Sequence, residues 1–449
     1  MMVLEDRIGT EFLTGLSYRL QSDYVRFQIR SSERVLRVMT TGHCEHSNSH
    51  RRRELNYGLI GLGKVGKNVL RFARGIKFDW VVDSKRLWHS ENDKPLSQRD
   101  VVDLLKYKQE STRLLTEEFH NARAERKLIE SYMPERENWI VIDASHAGAD
   151  VSQEVSEGLM GCYAYCCANK ALWTNFALCK RIYDLAVENR TYLCLNCIQG
   201  VWVDQMEYVP LLAQNLESGR VLITKRDNSS LNLFFTRIGH GVPASDAFSE
   251  LGDQGYLEPS ATDLFPEIED QWNKARITRN VCSLITKARP SRNDPVLQRK
   301  LPDGPDSPQP KDIAKWYLRK RREGGYPSLV SQVNIDVEAR EVDCEMSFKV
   351  LMKPNPLARN FAGRNAIAIE AKDANFTWTS RKRAASSKSL CRNGFGGARR
   401  TAEKLLWESI RVSHLAGARP SEFYPLPVMN ASKGDHYRNR VLRDLSRSL

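Results

Sequence analysis

The sequence predicts an α/β protein in which a doubly wound parallel sheet is joined to a second region of α+β type. Over residues 57–196, short apolar runs alternate with longer amphipathic stretches, which is how the strands and helices of a parallel sheet are written. After residue 196 the pattern changes to alternating strands that read as hairpins, mixed with further helices.

The strand, turn and helix at 57–70 are the clearest of these elements. The apolar strand 57–60 is followed by Gly61, Gly63 and Gly66, which have G-x-G-x-x-G spacing at the start of a helix. The first glycine permits a tight turn, the second lets the main chain approach a pyrophosphate, and the third lets the helix pack on the strand. The free N–H groups of the helix favour an anion. The pattern indicates a Rossmann-type dinucleotide site, although an ordinary strand-turn-helix has the same spacing.

The next strand supports the dinucleotide interpretation. Residues 79–83 read as a strand that ends in Asp83, about 20 residues after the glycines, where an acid holds a ribose hydroxyl. Lys85 and Arg86 follow directly and would accommodate a 2′-phosphate. The choice between NAD and NADP therefore stays open.

The remaining elements of the first sheet follow in order. We predict helices at 98–132, 148–161 and 174–189, and strands at 139–145, 162–167 and 191–196. Lys170 comes just after the strand 162–167, at the edge where parallel sheets bind ligands. The alternative for Lys170 is an ordinary solvent-exposed loop lysine.

The second region contains an acidic loop between two helices. The loop 255–263 follows a helix around 244–251 and precedes a helix that carries Asp270 and Lys274 at i and i+4. By spacing alone those two residues form an ordinary surface ion pair. Further along we predict a loop at 290–312, a helix through the basic run 319–322, a hairpin at 333–337 and 342–350, a strand at 365–371, and a glycine-rich loop at 394–398 before a helix at 401–415.

Composition limits the class of protein. The 449 residues carry a formal net charge of +13, which favours anionic ligands such as phosphates. No apolar run reaches the about 18 residues of a membrane helix. The 10 cysteines lack zinc-ligand spacing, and Cys162, Cys166 and Cys167 alternate faces of a strand, so we expect buried free thiols, no metal site and a reducing, cytoplasmic location.

We expect four parts along the chain. Residues 1–55 form a poorly ordered extension, 56–196 a dinucleotide-binding domain completed by about 391–417, 197–390 a substrate-binding and dimerisation domain with the loop at 290–312, and 418–449 a tail.

Several stretches, taken together and in this order, resemble a known family. They are Asp83-Ser84-Lys85, Ala168-Asn169-Lys170, Gly255-Tyr256-Leu257-Glu258-Pro259, Asn355-Pro356-Leu357-Ala358, Gly363-Arg364-Asn365-Ala366-Ile367, and the Gly394 loop with Thr401-Ala402. Over 57–417 the chain resembles homoserine dehydrogenase, most closely the dehydrogenase part of the bifunctional aspartokinase–homoserine dehydrogenases. The family interconverts homoserine and aspartate semialdehyde with NADPH or NADH, on the route to threonine and methionine.

The resemblance implies a role for individual residues. Gly61, Gly63, Lys64, Val65 and Gly66 would hold the pyrophosphate, and Lys274 would donate the proton to the carbonyl oxygen. We expect burial to lower the pKa of Lys274 for that task. The other implied residues are Lys170 and Asp270 beside the substrate and nicotinamide, Glu258 and Asp263 at the substrate ammonium, and Ser145, Gly394 and Gly396 along the cofactor.

The chain also departs from the family pattern. The family has an acid just before a turn that binds an alkali-metal ion, and in this sequence Cys194 stands at the position of that acid. The turn corresponds to residues 196–202, which include Cys197 and Trp202. We therefore expect no metal there. A non-catalytic relative that binds NAD(P) as a sensor or scaffold is the alternative to a homodimeric dehydrogenase. Nucleic-acid binding rests on the basic charge alone, and such binding should weaken steeply with salt.

Overall fold

The structure is a computed structural model that describes residues 2–4, 26–31, 34–39, 55–73, 76–90, 94–107, 114–199, 216–257, 261–291, 304–352, 357, 365–376, 388–394 and 398–413. Its strands are β1 (Met2–Leu4), β2 (Arg26–Ser31), β3 (Arg34–Met39), β4 (Asn56–Ile60), β5 (Trp80–Asp83), β6 (Arg86–Ser90), β7 (Leu114–Glu118), β8 (Trp139–Asp143), β9 (Ala164–Cys167), β10 (Tyr192–Cys194), β11 (Leu216–Arg226), β12 (Arg289–Pro290), β13 (Tyr326–Asp336), β14 (Glu341–Leu351), β15 (Asn365–Phe376) and β16 (Lys388–Gly394).

The α-helices are α1 (Lys64–Phe72), α2 (Gln98–Tyr107), α3 (Ala122–Ser131), α4 (Ala149–Leu159), α5 (Ala171–Thr174), α6 (Phe176–Glu188), α7 (Ser229–Gly239), α8 (Ala244–Asp253), α9 (Phe265–Thr286), α10 (Pro310–Arg322) and α11 (Ala398–Ser413). Short 3₁₀ turns cover Arg136–Asn138 and Asn196–Gln199.

The first sheet confirms the predicted α/β class. Its seven strands have the order β10-β9-β8-β4-β5-β6-β7, and the pairs from β10 to β5 are parallel. β8 is buried along its whole length, because helices cover both faces of such a sheet. The chain leaves β4 for β5 on one side and returns to β8 on the other, so the carboxyl ends of β4 and β8 flank the topological switch point where ligands bind.

One prediction for this sheet was wrong, and one strand was missed. The stretch 98–132 is not one helix: α2 and α3 are separated by β7, which pairs antiparallel with β6. β6 itself, which pairs with β5, was not predicted. Charged, helix-favouring residues fill 114–132, and pairing with an available strand edge overrides that local preference. The predicted helix 174–189 is present as α6; Asn175 caps it by accepting from the main-chain N–H groups of Ala177 and Leu178.

The second sheet is mixed and mostly antiparallel, with the order β12-β14-β13-β11-β15-β16. The predicted hairpin and the helix through the basic run are present as β13–β14 and α10. α7, α9 and α10 pack on this sheet, and their shared core includes Phe235, Trp272 and Trp316. The long helix α9 also contributes Ile277 and Val281 to a core of the first sheet, so one helix joins the two halves.

Two further segments, one near each end of the chain, complete the described part of the fold. The described part of 1–55 contains β1, β2 and β3, which form a separate sheet; the alternation of polar and apolar residues in β2 suits a strand. Near the other end, α11 packs against α1 and β9. Its Leu405 and Leu406 share a core with Leu59 of β4. The described part of the loop 290–312 is limited to its two ends.

Candidate functional site

The glycine turn after β4 has the geometry that the sequence predicts. Gly61 has a φ of +89°, and a Cβ there would lie 2.6 Å from the main chain of Ser145, so only glycine fits. A Cβ on Gly66 would lie 1.8 Å from the carbonyl oxygen of Gly61, which shows that α1 packs directly against the turn. A Cβ on Gly63 would have no neighbour within 4 Å. The space above Gly63 is therefore open.

The start of α1 is suited to an anion. Gly63 is its N-cap, no side chain caps the helix, and the first turn contains no acid. The positive end of the helix dipole and the free N–H groups consequently face the open space, and Lys64 adds a positive charge in the first turn. Val65 follows and is partly buried. These features fit the pyrophosphate of a dinucleotide.

Polar residues at the carboxyl ends of neighbouring strands lie around this turn. Asp83 ends β5, and Lys85 lies in the tight turn that joins β5 to β6. Ser145 follows β8; its N–H donates to Asp143 (2.9 Å) and its hydroxyl accepts from Asn169 (3.0 Å). The strand ends thus form one polar edge beside the glycine turn.

Lys170, Asp270 and Lys274 come together although they lie far apart in the sequence. Lys170 follows β9, whereas Asp270 and Lys274 lie on α9. The Asp270 carboxylate bridges the two ammonium groups, with its Oδ1 2.5 Å from Lys170 Nζ and its Oδ2 2.7 Å from Lys274 Nζ. The side chain of Lys170 is 38% exposed to solvent, whereas that of Lys274 is 8% exposed. Solvent therefore reaches the cluster from the side of Lys170.

Electrostatics favour the charged forms of Asp270 and Lys274. Burial raises the pKa of Asp270, but the charges of Lys170 and Lys274 outweigh burial and hold that pKa well below its usual range. Burial lowers the pKa of Lys274, but Asp270 and then Asp227 outweigh burial and raise it above its usual value.

Two expectations for Lys274 were therefore wrong. The ion pair of Asp270 and Lys274 is not an ordinary surface pair, because α9 is buried between the two sheets and Lys274 as a whole residue is only 6% exposed. The pKa of Lys274 is raised rather than lowered, because burial brings the lysine beside a carboxylate instead of an apolar wall. At neutral pH Lys274 is an ammonium ion.

Sequence reasoning missed two neighbours of this cluster. Asn228 caps α7 by accepting from the Leu231 N–H, and its amide donates to Asp270 (3.2 Å) and to Glu267 (2.9 Å). Burial raises the pKa of Glu267, while the bond from Asn228 lowers it. The sequence signal for Asn228 was an N-cap residue directly before a helix; nothing in the sequence marks Glu267.

The start of the acidic loop lies near the glycine turn. A Cβ on Gly255 would lie 3.7 Å from Lys64 Nζ, and the carbonyl oxygen of Tyr256 accepts from Ser230 (3.1 Å). Asp263 accepts from the Phe265 N–H (3.0 Å) at the start of α9. Glu258 and Gly396 lie outside the described residues, and Gly394 is the last residue of β16.

Buried cysteines lie in β10 and in the turn that follows it. Cys194 is buried in β10, and the Cys197 thiol, in the turn Asn196–Gln199, donates to Glu408 of α11 (3.0 Å). The cysteines whose side chains the structure describes are buried and free, as predicted. No set of three or more histidine, cysteine or acidic side chains suited to a metal occurs within the described ranges, and no helix there is long and apolar enough to cross a membrane.

No protein-family model and no curated protein matches the chain. Solved structures do. A protein of unknown function from Candida auris is 16% identical with a TM-score of 0.54, over 80% of this chain and 98% of that one. A hyperthermophilic archaeal homoserine dehydrogenase in complex with NADPH is 18% identical with a TM-score of 0.51, over the same shares. A putative homoserine dehydrogenase from Archaeoglobus fulgidus is 16% identical with a TM-score of 0.50, over 79% and 98%. The chain therefore has a fold like that of the homoserine dehydrogenases.

Proposed function

We propose that this protein is an NADP- or NAD-dependent homoserine dehydrogenase, which interconverts homoserine and aspartate semialdehyde on the route to threonine and methionine. The observation that carries the proposal is the Asp270 carboxylate bridging Lys170 and Lys274, at the edge of the sheet where the glycine turn opens. Two of the solved structures with this fold are homoserine dehydrogenases in complex with NADPH.

The glycine turn would hold the cofactor. Gly61, Gly63, Lys64, Val65 and Gly66 would bind the pyrophosphate, since the main chain is open there and the helix end is uncapped. The residues that would flank the ribose and nicotinamide are Asp83, Lys85, Ser145, Lys170, Gly394 and Gly396. When bound, the nicotinamide supplies or accepts the hydride.

Lys274 would move the proton. During reduction of an aldehyde, negative charge develops on the carbonyl oxygen, and a positioned ammonium both stabilises that charge and delivers a proton. Lys274 is charged and held by Asp270, and its neighbour Lys170 is the more exposed of the two lysines. In the opposite direction Lys274 must first lose its proton.

The second region would complete the site. Glu258 and Asp263 would bind the ammonium group of the substrate, and the second sheet would form the interface of a homodimer. We place the protein in the cytoplasm. We expect the alkali-metal ion of the family to be absent, because the acid that would bind it is replaced by Cys194.

A non-catalytic relative that binds the nucleotide as a sensor or scaffold is the second candidate. The observation that favours it lies at β10 and the turn Asn196–Gln199: Cys194 is buried, and the Cys197 thiol is hydrogen-bonded to Glu408. If the lost acid is needed to shape the substrate pocket, the chain would bind cofactor without turnover.

The test is the loss of NADPH absorbance, with NADH in parallel, when aspartate semialdehyde is added to the purified chain. Cofactor binding is measured first by fluorescence. We expect turnover that falls at least about 100-fold in Lys274→Ala, the size usual for losing a general acid, with cofactor affinity unchanged. Lys315→Ala, an exposed lysine of α10, is the matched control and should turn over normally.

The outcomes separate the candidates. Turnover that depends on Lys274 supports the dehydrogenase. Cofactor binding without turnover, also in sodium and potassium salts, supports the sensor or scaffold. Turnover that survives Lys274→Ala would remove the proton-donor role.

A further inference from the structure

Two charged residues that the proposed reaction does not use lie completely buried beside the site. Lys225 and Asp227, at the end of β11, are both 0% exposed. The Lys225 ammonium lies 3.4 Å from the Asp227 carboxylate. Burial lowers the pKa of Lys225, and the charge of Asp227 opposes that shift.

A buried ion pair is a poor source of stability, because removing two charges from water costs about as much as their attraction returns. Such a pair is better explained by a role in fixing positions, because a charged group that is shielded from water is stable only while its polar partners stay in place. The question is therefore what Lys225 and Asp227 hold.

Both residues are linked to Lys274 by hydrogen bonds, Asp227 directly and Lys225 through Thr278. The carbonyl oxygen of Asp227 accepts from Lys274 Nζ (2.8 Å). The Lys225 ammonium donates to the Thr278 hydroxyl (2.5 Å), which donates to the carbonyl oxygen of Lys274 (2.9 Å). Thr278 lies one turn after Lys274 on α9. The pair thus contacts Lys274 at the ammonium and supports its main chain.

We propose that Lys225 and Asp227 are positioning residues for Lys274: they tie the end of β11 to α9 and so hold the Lys274 ammonium against Asp270, where the substrate carbonyl would reach it. The consequence for catalysis rests on the proposed function; the effect on Lys274 itself does not.

The charges around Lys274 agree with this role. Asp270 and Glu267 face it from α9, Asp227 from β11, and Lys170 lies across Asp270. After burial and Asp270, Asp227 has the largest influence on the pKa of Lys274, and that influence raises it. Lys225 keeps Asp227 in place without touching the substrate side.

The experiment removes both charges together. The full chain with Lys225→Met and Asp227→Asn keeps the side-chain sizes and leaves no unpaired buried charge. We expect kcat to fall at least about tenfold, as for a displaced catalytic group, while KM and cofactor affinity change less than about threefold. The control is Arg220→Met with Asp336→Asn, an ion pair (3.1 Å) between β11 and β13 in which the Arg220 side chain is 59% exposed.

A second readout needs no turnover. In protein labelled with ¹³C-lysine, the Cε resonance of Lys274, identified by its loss in Lys274→Arg, gives the titration of that residue directly. We expect its midpoint to move to lower pH in the Lys225/Asp227 double variant and to stay in place in the control.

Thr278 keeps the proposal open to refutation if the double variant does not fold. Thr278→Val removes the hydroxyl link without removing a charge, and should lower kcat and shift Lys274 in the same direction; Thr278→Ser should restore both. A folded double variant in which Lys274 titrates at the wild-type midpoint overturns the proposal, as does a Thr278→Val variant that matches Thr278→Ser. If the wild-type chain has no turnover, the proposed function fails and the titration alone decides.

Discussion

The two sides of the candidate site recognise charge in different ways. On the side of the first sheet, the proposed cofactor would meet main-chain groups, because Gly61 and Gly66 leave no room for a side chain and no side chain caps the start of α1. On the side of the second sheet, it depends on paired side chains, in which Asp270 bridges Lys170 and Lys274. The first side would be damaged by adding atoms and the second by removing them.

The difference also concerns burial. The open space above Gly63 is accessible, so a substitution there does not disturb packing. The ion cluster lies on a helix packed between two cores, so changes there alter both the chemistry and the free energy of unfolding. Variants on the two sides should therefore separate cofactor binding from turnover.

The largest effect is expected at the glycine turn. Gly63→Val should reduce cofactor affinity by at least about 1000-fold, because the new side chain fills the space through which the main chain would approach the pyrophosphate. The thermal midpoint should stay the same, since a Cβ there meets nothing within 4 Å. Fluorescence titration with NADPH and NADH measures the affinity.

Gly252→Val, at another open position in α8, is the control for steric bulk and should bind cofactor normally. Cofactor binding that persists in Gly63→Val would show that the turn does not hold the pyrophosphate.

The next effect is expected at the ion cluster. Asp270→Asn leaves Lys170 and Lys274 beside each other without the carboxylate, so one ammonium should lose its proton and the pair should move apart. We expect turnover to fall about 100-fold and the free energy of unfolding by about 3 kcal/mol, with cofactor affinity unchanged. Steady-state kinetics and urea unfolding measure the two losses.

Glu269→Gln, the exposed neighbour on α9, changes the same charge outside the cluster and should have neither effect. Equal losses in the two variants would mean that the charge of α9, rather than the bridge, matters.

The smallest effect is expected at Glu125 of α3. Burial, followed by repulsion from Asp143 and Asp83, raises the pKa of Glu125 from 4.5 to about 7. Because the pKa is higher in the folded state, folding favours the protonated acid. The contribution of Glu125 to the free energy of unfolding is therefore fully present below pH 4.5 and is lost as the pH rises through 7. Glu125→Gln should flatten that loss and stabilise the protein at pH 8 by up to about 2 kcal/mol.

Urea unfolding between pH 5 and 8 tests this, with the exposed Glu188→Gln of α6 as control. A wild-type protein whose stability does not fall over that range would contradict the raised pKa.

The regular parts of the fold were predictable because their signals are local. The strands β4, β5, β8 and β9 are apolar runs, and Gly61 and Gly66 stand where the main chain leaves no room for a side chain. The strands β6 and β7 were not predicted, because their charged sequences become strands only by pairing with β5 and with each other.

By itself, the sequence determined the α/β class, the glycine turn and the identity of the residues that could carry chemistry. The tertiary structure alone decided their electrostatics. Lys274 has the sequence spacing of a surface ion pair, and only the packing of α9 between two sheets buries it beside Asp270 and Asp227. The physical reason is that charge interactions depend on distance and on exclusion of water, and both are set by segments far apart in the chain.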